Sequence, residues 1–361
     1  MSPPLVSRWV FACLKGEHAK RLQTISAVLW AFLSTSRLTL AELGRHLPRT
    51  ARLRHQIKRV WRLMVNPRFD PQVVMVGLSR EAAARFKPLV VALDWVELRG
   101  GCRALVAAVC LRRGRALPIA WAVARAAEFR TSQNEVEEEL VAQLAAWLPG
   151  VRLCLVADRG FRRASFLAHL DALGLGYVIR VCEKVHIAGR RYQGLLSACG
   201  LRPGAEGDLG QVEYREDGLV RTRLVWRWWS GAAEPWLLAT NQSWKLARVA
   251  ETYARRMEEE ESFRDLKSHR WGAALRYVKL SRPERYARLL AIWALGMWLL
   301  LAQGQAAVAA GRHHGLSTAS NRRRDLSLIS IGRLLLGECF GTVAELFRLL
   351  ARLSRTPLAA A

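Results

Sequence analysis

Acidic residues are scarce in this chain. Asp and Glu number 30 against 56 Lys and Arg in 361 residues, which leaves a net charge of +26. Such a chain repels itself and attracts polyanions, so nucleic acid heads the possible partners, ahead of an anionic membrane or an acidic protein. Lysine is rare beside arginine, whose planar fork suits bidentate phosphate contacts. Paired cysteines are missing as well. Cys13, Cys102, Cys110, Cys154, Cys182, Cys199 and Cys339 contain no C-x-x-C and are odd in number. That argues against a disulfide framework or a zinc ribbon and predicts reduced, buried thiols in a cytoplasmic protein. The most apolar stretch, residues 289–302, falls short of the ~20 residues that a membrane span needs. It follows the charged segment SRPERYAR and reads as a buried helix, with no membrane partner. No charged start with a long apolar core marks a secretory leader. Internal repeats and low-complexity tracts are absent.

What is present changes period along the chain. Residues 1–87 carry apolar residues at helical spacing over 21–34, 39–47 and 50–65, with 16 basic residues against four acidic ones. In the last of these, Arg52, Arg54, Lys58, Arg59 and Arg62 interleave with Ile57, Val60, Trp61 and Leu63. One face packs and the other is offered to phosphate, with Arg59 and Arg62 as the candidate DNA contacts. Thr39 is placed to cap the helix before it. At Pro88 the pattern becomes β-branched and continuous. LVVALDWVEL, RALVAAVCLRRG and RALPIAWAVARA predict three strands, the last two joined by a short Arg-Gly turn. A helix over 134–148, a strand VRLCLVAD, a helix over 163–173 and a strand GYVIRVC complete the series. This order is that of a ribonuclease-H-like mixed sheet. Residues 183–242 shift to Gly, Arg and short strand-like runs, a β-rich insertion. A helix is expected over 243–267, capped by Ser243. The rest reads as helical, with a basic tail at Arg322, Arg323 and Arg324. The fold class is therefore α/β. A helical basic DNA-binding region (1–87) precedes a catalytic core in two parts (88–182 and 243–301), with the insertion between them. A C-terminal helical region (302–361) follows.

Three carboxylates stand out. Asp94 sits inside VALDWV, where an ionised acid is costly without a positive partner. Asp158 ends an apolar strand in LVADRGF, and strand carboxyl ends are where ligands gather. A strand salt bridge and a helix N-cap are the structural alternatives for these two. Glu260 lies in the run Glu258–Glu261, whose ordinary meaning is a solvated acidic face. If the two aspartate strands are neighbours, like charges ~4 Å apart repel strongly, and divalent cations relieve that repulsion. Around Glu260, the order Tyr253, Arg256, Glu260, Lys267 places the later three at +3, +7 and +14 from the tyrosine. On one continuous helix all four share a face.

DWV around Asp94, ADRGF around Asp158 and the Tyr253–Arg256–Glu260–Lys267 spacing resemble the DDE transposases of bacterial insertion sequences. The resemblance is to insertion-sequence family four, with its Y-R-E-K signature, and covers roughly residues 50–300. It implies Asp94, Asp158 and Glu260 as the catalytic and metal-binding triad, holding two Mg²⁺ ions with Mn²⁺ as a substitute. It implies Tyr253, Arg256 and Lys267 as contacts to the phosphates of the element's end. Trp236 falls where the family stacks a tryptophan near a flipped base, and Arg159 and Arg180 are further candidates for backbone phosphate. The partners it implies are double-stranded DNA, as terminal inverted repeats and as target, and a second copy of the chain in a paired-end complex, with residues 302–361 the candidate for dimerisation. The expected setting is the bacterial cytoplasm, at the nucleoid. The expected activity is cut-and-paste transposition. Cleavage frees a 3′ hydroxyl, a hairpin forms, and the end is joined to target DNA. Two alternatives stay open: a ribonuclease-H-like nuclease, and a catalytically inactive DNA-binding derivative of a transposase.

Overall fold

A computed structural model describes residues 1–14, 16–48, 51–111, 115–125, 133–267, 273–316, 326–338, 340–342 and 344–348. The expected Arg-Gly turn at 112–114 and the basic tail at Arg322–Arg324 lie outside the described residues.

Helices open the chain: α1 (Pro3–Cys13), α2 (Ala19–Thr35), α3 (Leu40–Arg45), α4 (Leu53–Val65) and α5 (Pro71–Arg85). Thr39 caps α3 as its position predicts, its hydroxyl accepting from the Glu42 amide. Asp70 caps α5 by accepting from Gln72 N, with Pro71 at the first helical position, where its missing N–H leaves nothing unsatisfied. Strands β1 (Leu89–Glu97), β2 (Cys102–Val109) and β3 (Leu117–Arg125) follow, then α6 (Gln133–Trp147), β4 (Leu153–Ala157), α7 (Ala164–Ala172) and β5 (Gly176–Arg180). Residues 183–242 supply β6 (His186–Gly189), β7 (Gln193–Leu195), β8 (Glu206–Arg215), β9 (Leu219–Arg227) and β10 (Trp236–Thr240). Next come α8 (Leu246–Ala254), α9 (Met257–Lys267), α10 (Pro283–Ala309) and α11 (Leu328–Leu334).

The strands are ordered β3-β2-β1-β4-β5-β10-β9-β8-β6-β7. β1, β4 and β5 run parallel, while β2 and β3 form an antiparallel pair. A four-residue connection joins β1 to β2, too short for the crossover that parallel strands require, so these two are antiparallel. The first five strands thus have ribonuclease-H-like order. The expected insertion extends this sheet. β10 returns antiparallel to β5, and β9, β8 and β6 add to it in turn.

The chain divides into two compact units. The first comprises Met1–Phe86, Trp95–Arg130 and Glu258–Ala361, and the second Lys87–Asp94 and Thr131–Met257. The first unit is built on α10. This helix is longer than the 14-residue apolar run that the sequence displays. By length and composition alone it could cross a membrane, but 94% of its apolar window is buried within the fold. It packs on β3, α2, α4, α5 and α11. Trp298 donates its indole N–H to the Pro118 carbonyl and, with Trp9, Phe86 and Phe347, forms an aromatic cluster at centroid distances of 4.7–6.5 Å. In the second unit α7 packs on β5 and β9, and α8 on β4, β5, β9 and β10. The buried Glu137 of α6 is held by Arg163 at 2.7 Å.

Two glycines let α10 and α11 touch backbone to backbone. A Cβ at Gly304 would lie 1.9 Å from the Leu328 carbonyl oxygen, and one at Gly332 would lie 2.1 Å from that of Leu300. Neither oxygen is the end of a flexible side chain, so the helices must separate to admit a methyl group. Gly304→Ala or Gly332→Ala is therefore expected to destabilise the protein by about 1–3 kcal/mol, against a gain of at most about 1 kcal/mol in helix propensity. Urea unfolding of each variant checks this, and wild-type stability in both would contradict so close a packing.

The sequence expectation of one helix over 243–267 is corrected. α8 starts at Leu246 with Lys245, not Ser243, in the capping position. It ends at Ala254, and Arg255 and Arg256 form a turn before α9 restarts at Met257. The Arg255 and Arg256 amides bond three residues back, to Thr252 O and Tyr253 O, which tightens the last turn and ends the α-helical ladder. Tyr253, Arg256, Glu260 and Lys267 consequently do not share the face of one continuous helix.

Candidate active site

Strand register builds the site. Leu93 of β1 pairs with Ala157 of β4, and Ala157 pairs with Ile179 of β5. One residue further on, Asp94 within β1, Asp158 just past the end of β4 and Arg180 at the end of β5 stand at one level. Residues at one level on adjacent strands project to one side of the sheet. The register therefore makes the two acids neighbours across the sheet, with Arg180 on the next strand, and Asp158 and Arg180 lie at strand carboxyl ends, where open α/β sheets collect ligands. Both aspartates are half-buried.

Asp158 also serves locally. Its Oδ1 accepts from the Gly160 amide at 2.8 Å and caps the short 3₁₀ turn Arg159–Phe161. The N-cap alternative is thus a real structural role of this residue. It also explains the glycine of ADRGF, since a Cβ at Gly160 would come within 2.9 Å of that same Oδ1.

Asp94 pairs with Arg256, whose Nη1 lies 3.7 Å from Oδ2. The Arg256 guanidinium also sits 5.8 Å from the ring centroid of Tyr253. Burial pushes the Tyr253 phenol above its ordinary pKa, and the cations Arg256 and Arg180 act in the opposite sense. Tyr253 is therefore a neutral, buried phenol at physiological pH. Its ring meets Trp236 edge-on at 4.8 Å, Trp236 meets Trp229 edge-on at 4.5 Å, and Arg227 caps Trp229 at 4.9 Å. An unbroken row of rings and guanidiniums thus runs from the exposed Trp229 to the carboxylate of Asp94. The sequence places Tyr253 and Arg256 together in one motif and Trp236 apart from it; the contact of Trp236 with Tyr253 is a tertiary fact.

Arg159 and Arg180 meet at Glu234, each placing Nη2 2.7 Å from its Oε1. The sequence reading did not single out Glu234. The available signal was a carboxylate two residues before Trp236 in an arginine-rich stretch.

Glu260 and Lys267 lie on α9, in the first unit. There Glu258 accepts from the Leu111 amide at 2.6 Å, Ser262 donates to the Ala116 carbonyl, and Glu261 pairs with Arg115 and Arg264. Two of the four glutamates thus fasten α9 within its own unit. Glu260 is two residues, about 200° of helical rotation, from Glu258. Among the described residues, no three His, Cys, Asp or Glu side chains are gathered as a metal site. The Asp94–Asp158 pair supplies hard oxygen donors of the kind that divalent cations favour. Arg52 at the N-cap of α4 and Arg54, Lys58 and Arg62 within it are exposed, while Arg59 is half-buried and donates to Thr24.

Fold and site together define a mixed-sheet protein of ribonuclease-H-like order, with Asp94, Asp158 and Arg180 at one level on its parallel strands. The family profile of the transposase DDE domain matches residues 105–295, more than half of the chain, and the chain belongs to this family. The matched span holds Asp158 and Glu260, and Asp94 lies just ahead of it. Among solved structures, the chain is similar to a piggyBac transposase in a synaptic complex with hairpin DNA, determined by cryo-EM. The likeness has 11% identity over 97% of this chain and 78% of that one, at a TM-score of 0.45. No curated protein gave a significant match.

Proposed function

We propose that this chain is a cut-and-paste DNA transposase of the Y-R-E-K class (insertion-sequence family four). It cleaves the ends of its element and joins the freed 3′ hydroxyl to target DNA through a hairpin intermediate. The observation that carries this reading is the arrival of Asp94 and Asp158 at one level on neighbouring parallel strands, beside Arg256 and Arg180, in a chain of the DDE transposase family.

The chemistry requires a third acid, and Glu260 is the candidate. It stands four residues after Arg256, which already grips Asp94. Asp94, Asp158 and Glu260 would hold two Mg²⁺ ions, with Mn²⁺ as a substitute. When bound, such a pair activates a water or a 3′ hydroxyl and stabilises the leaving oxygen. The remaining work falls to the chain. Arg256 orients Asp94 and offers its guanidinium to the strand. Tyr253, buried and neutral, stiffens that guanidinium through its ring face and is not a nucleophile. Lys267 adds positive charge on α9. Trp236 stacks on an extruded base, and Arg59, Arg62 and their neighbours on α4 grip end DNA by its phosphates. Two copies pair in the complex that synapses the two ends.

The test is incubation of the protein with labelled end DNA and a supercoiled target in Mg²⁺. The expected products are nicked ends, hairpins and joined molecules. Cleavage without any joining would favour the nuclease reading. Binding with neither product would favour the inactive DNA-binding derivative.

A further inference from the structure

Arg159 and Arg180 are drawn onto a single carboxylate oxygen, and that arrangement exceeds what a structural ion pair needs. Arg159 opens the 3₁₀ turn directly after Asp158, while Arg180 ends β5 at the level of Asp158. Glu234 approaches from the loop before β10, two residues ahead of Trp236. Both guanidiniums place Nη2 2.7 Å from Glu234 Oε1, and Arg180 also donates to the Pro235 carbonyl at 3.2 Å. They border a cavity of about 130 Å³ that Glu183 and Lys184 help to line. Two guanidiniums share one carboxylate, so one positive charge is left over.

We propose that Arg159 and Arg180 form a subsite for a DNA phosphodiester and that the Glu234 carboxylate occupies the phosphate's place until DNA displaces it. This deepens the transposition reading and rests on it for the choice of ligand. A carboxylate and a phosphodiester each present anionic oxygens to an arginine fork, so one can stand in for the other. Exchange costs little on the Arg159 side, where Arg159 and Glu234 are each about half exposed, at 49% and 51%, and a phosphate would keep a counter-anion on Arg180, which is 15% exposed. Exposed ion pairs are worth only about 0–1 kcal/mol. A phosphate brings the further gain of counterion release. Desolvation acts against ionisation of Glu234, but the two arginines hold its carboxyl below the ordinary range, so the resident anion is charged at neutral pH. Beside the Asp158 strand end and close to Trp236 in sequence, the subsite would seat a phosphate next to the reacting nucleotide. Glu234 then acts as a gate that strengthens the demand for properly placed DNA.

The experiment is fluorescence anisotropy of a labelled 20-base-pair duplex with the full-length protein in EDTA, across a NaCl series. It compares wild type, Glu234→Gln, Arg159→Ala/Arg180→Ala and the triple variant. Glu234→Gln is expected to bind about 5- to 10-fold more tightly at fixed salt, with a salt slope steeper by about one ion. In the background lacking both arginines the gain should vanish. Unchanged or weaker binding by Glu234→Gln overturns the proposal, and so does a gain that persists without the arginines. End cleavage by wild type in Mg²⁺ is scored separately. A tighter Glu234→Gln variant of a protein that never cleaves end DNA would keep the subsite and remove the transposase reading. An active transposase without the gain would do the reverse.

Discussion

Asp158→Asn is expected to lower end cleavage at least about a thousandfold while leaving duplex binding within a few-fold of wild type. The substitution isolates charge. Asparagine caps helical turns about as well as aspartate, so the bond from the Gly160 amide to Oδ1 can persist and the 3₁₀ turn is kept. What disappears is the negative charge that a divalent cation requires. A loss of about 4 kcal/mol in transition-state stabilisation corresponds to that factor of a thousand. Glu260→Gln should have an effect of the same order. Asp94→Asn should as well, with an added cost in stability of about 1–3 kcal/mol, because it weakens the pairing of the buried Arg256. Single-turnover cleavage of labelled ends in Mg²⁺, beside anisotropy binding in EDTA, separates the two effects. Wild-type cleavage by any of the three variants would remove that residue from the triad.

Trp236→Ala is expected to leave first-strand nicking within about threefold and to cut hairpin formation roughly 10- to 100-fold. Stacking a base on an aromatic ring is worth about 1–3 kcal/mol, which spans that range. The ring also serves the fold, since it packs edge-on against both Trp229 and Tyr253. Such contacts contribute about 0.5–1.5 kcal/mol each, so alanine will lower stability too. Trp236→Phe restores much of the packing with a smaller stacking surface, and its hairpin yield should fall between the other two. A time course on denaturing gels reads nicks and hairpins together. Equal hairpin yield from wild type and Trp236→Ala would limit the residue to packing.

The strands around the acids were legible because parallel strands buried on both faces must be written as unbroken apolar runs, and an acid within one is conspicuous. VALDWV and LVADRGF gave both strands and both carboxylates. α10 was legible for a similar reason, though its full length was not, because Gln303 and Gln305 interrupt the apolar run without interrupting the helix. The end of α8 was hidden. Apolar and charged residues continue with helical spacing through Arg255 and Arg256, and each has ordinary helix propensity. The turn there reflects contacts made elsewhere: Arg256 with Asp94, Glu258 with Leu111 and Ser262 with Ala116.

The sequence by itself determined the strong positive charge, the alternation of strands and helices, and the setting of two acids in apolar runs, because each is written in composition or in local period. Tertiary structure alone decided which strand positions stand at one level, where the helix expected over 243–267 breaks, and that Glu234 bridges to an arginine 75 residues away. Register is a property of pairs of strands, and the place of a half-exposed carboxylate depends on the charges the fold brings to it. Neither is encoded in any one segment.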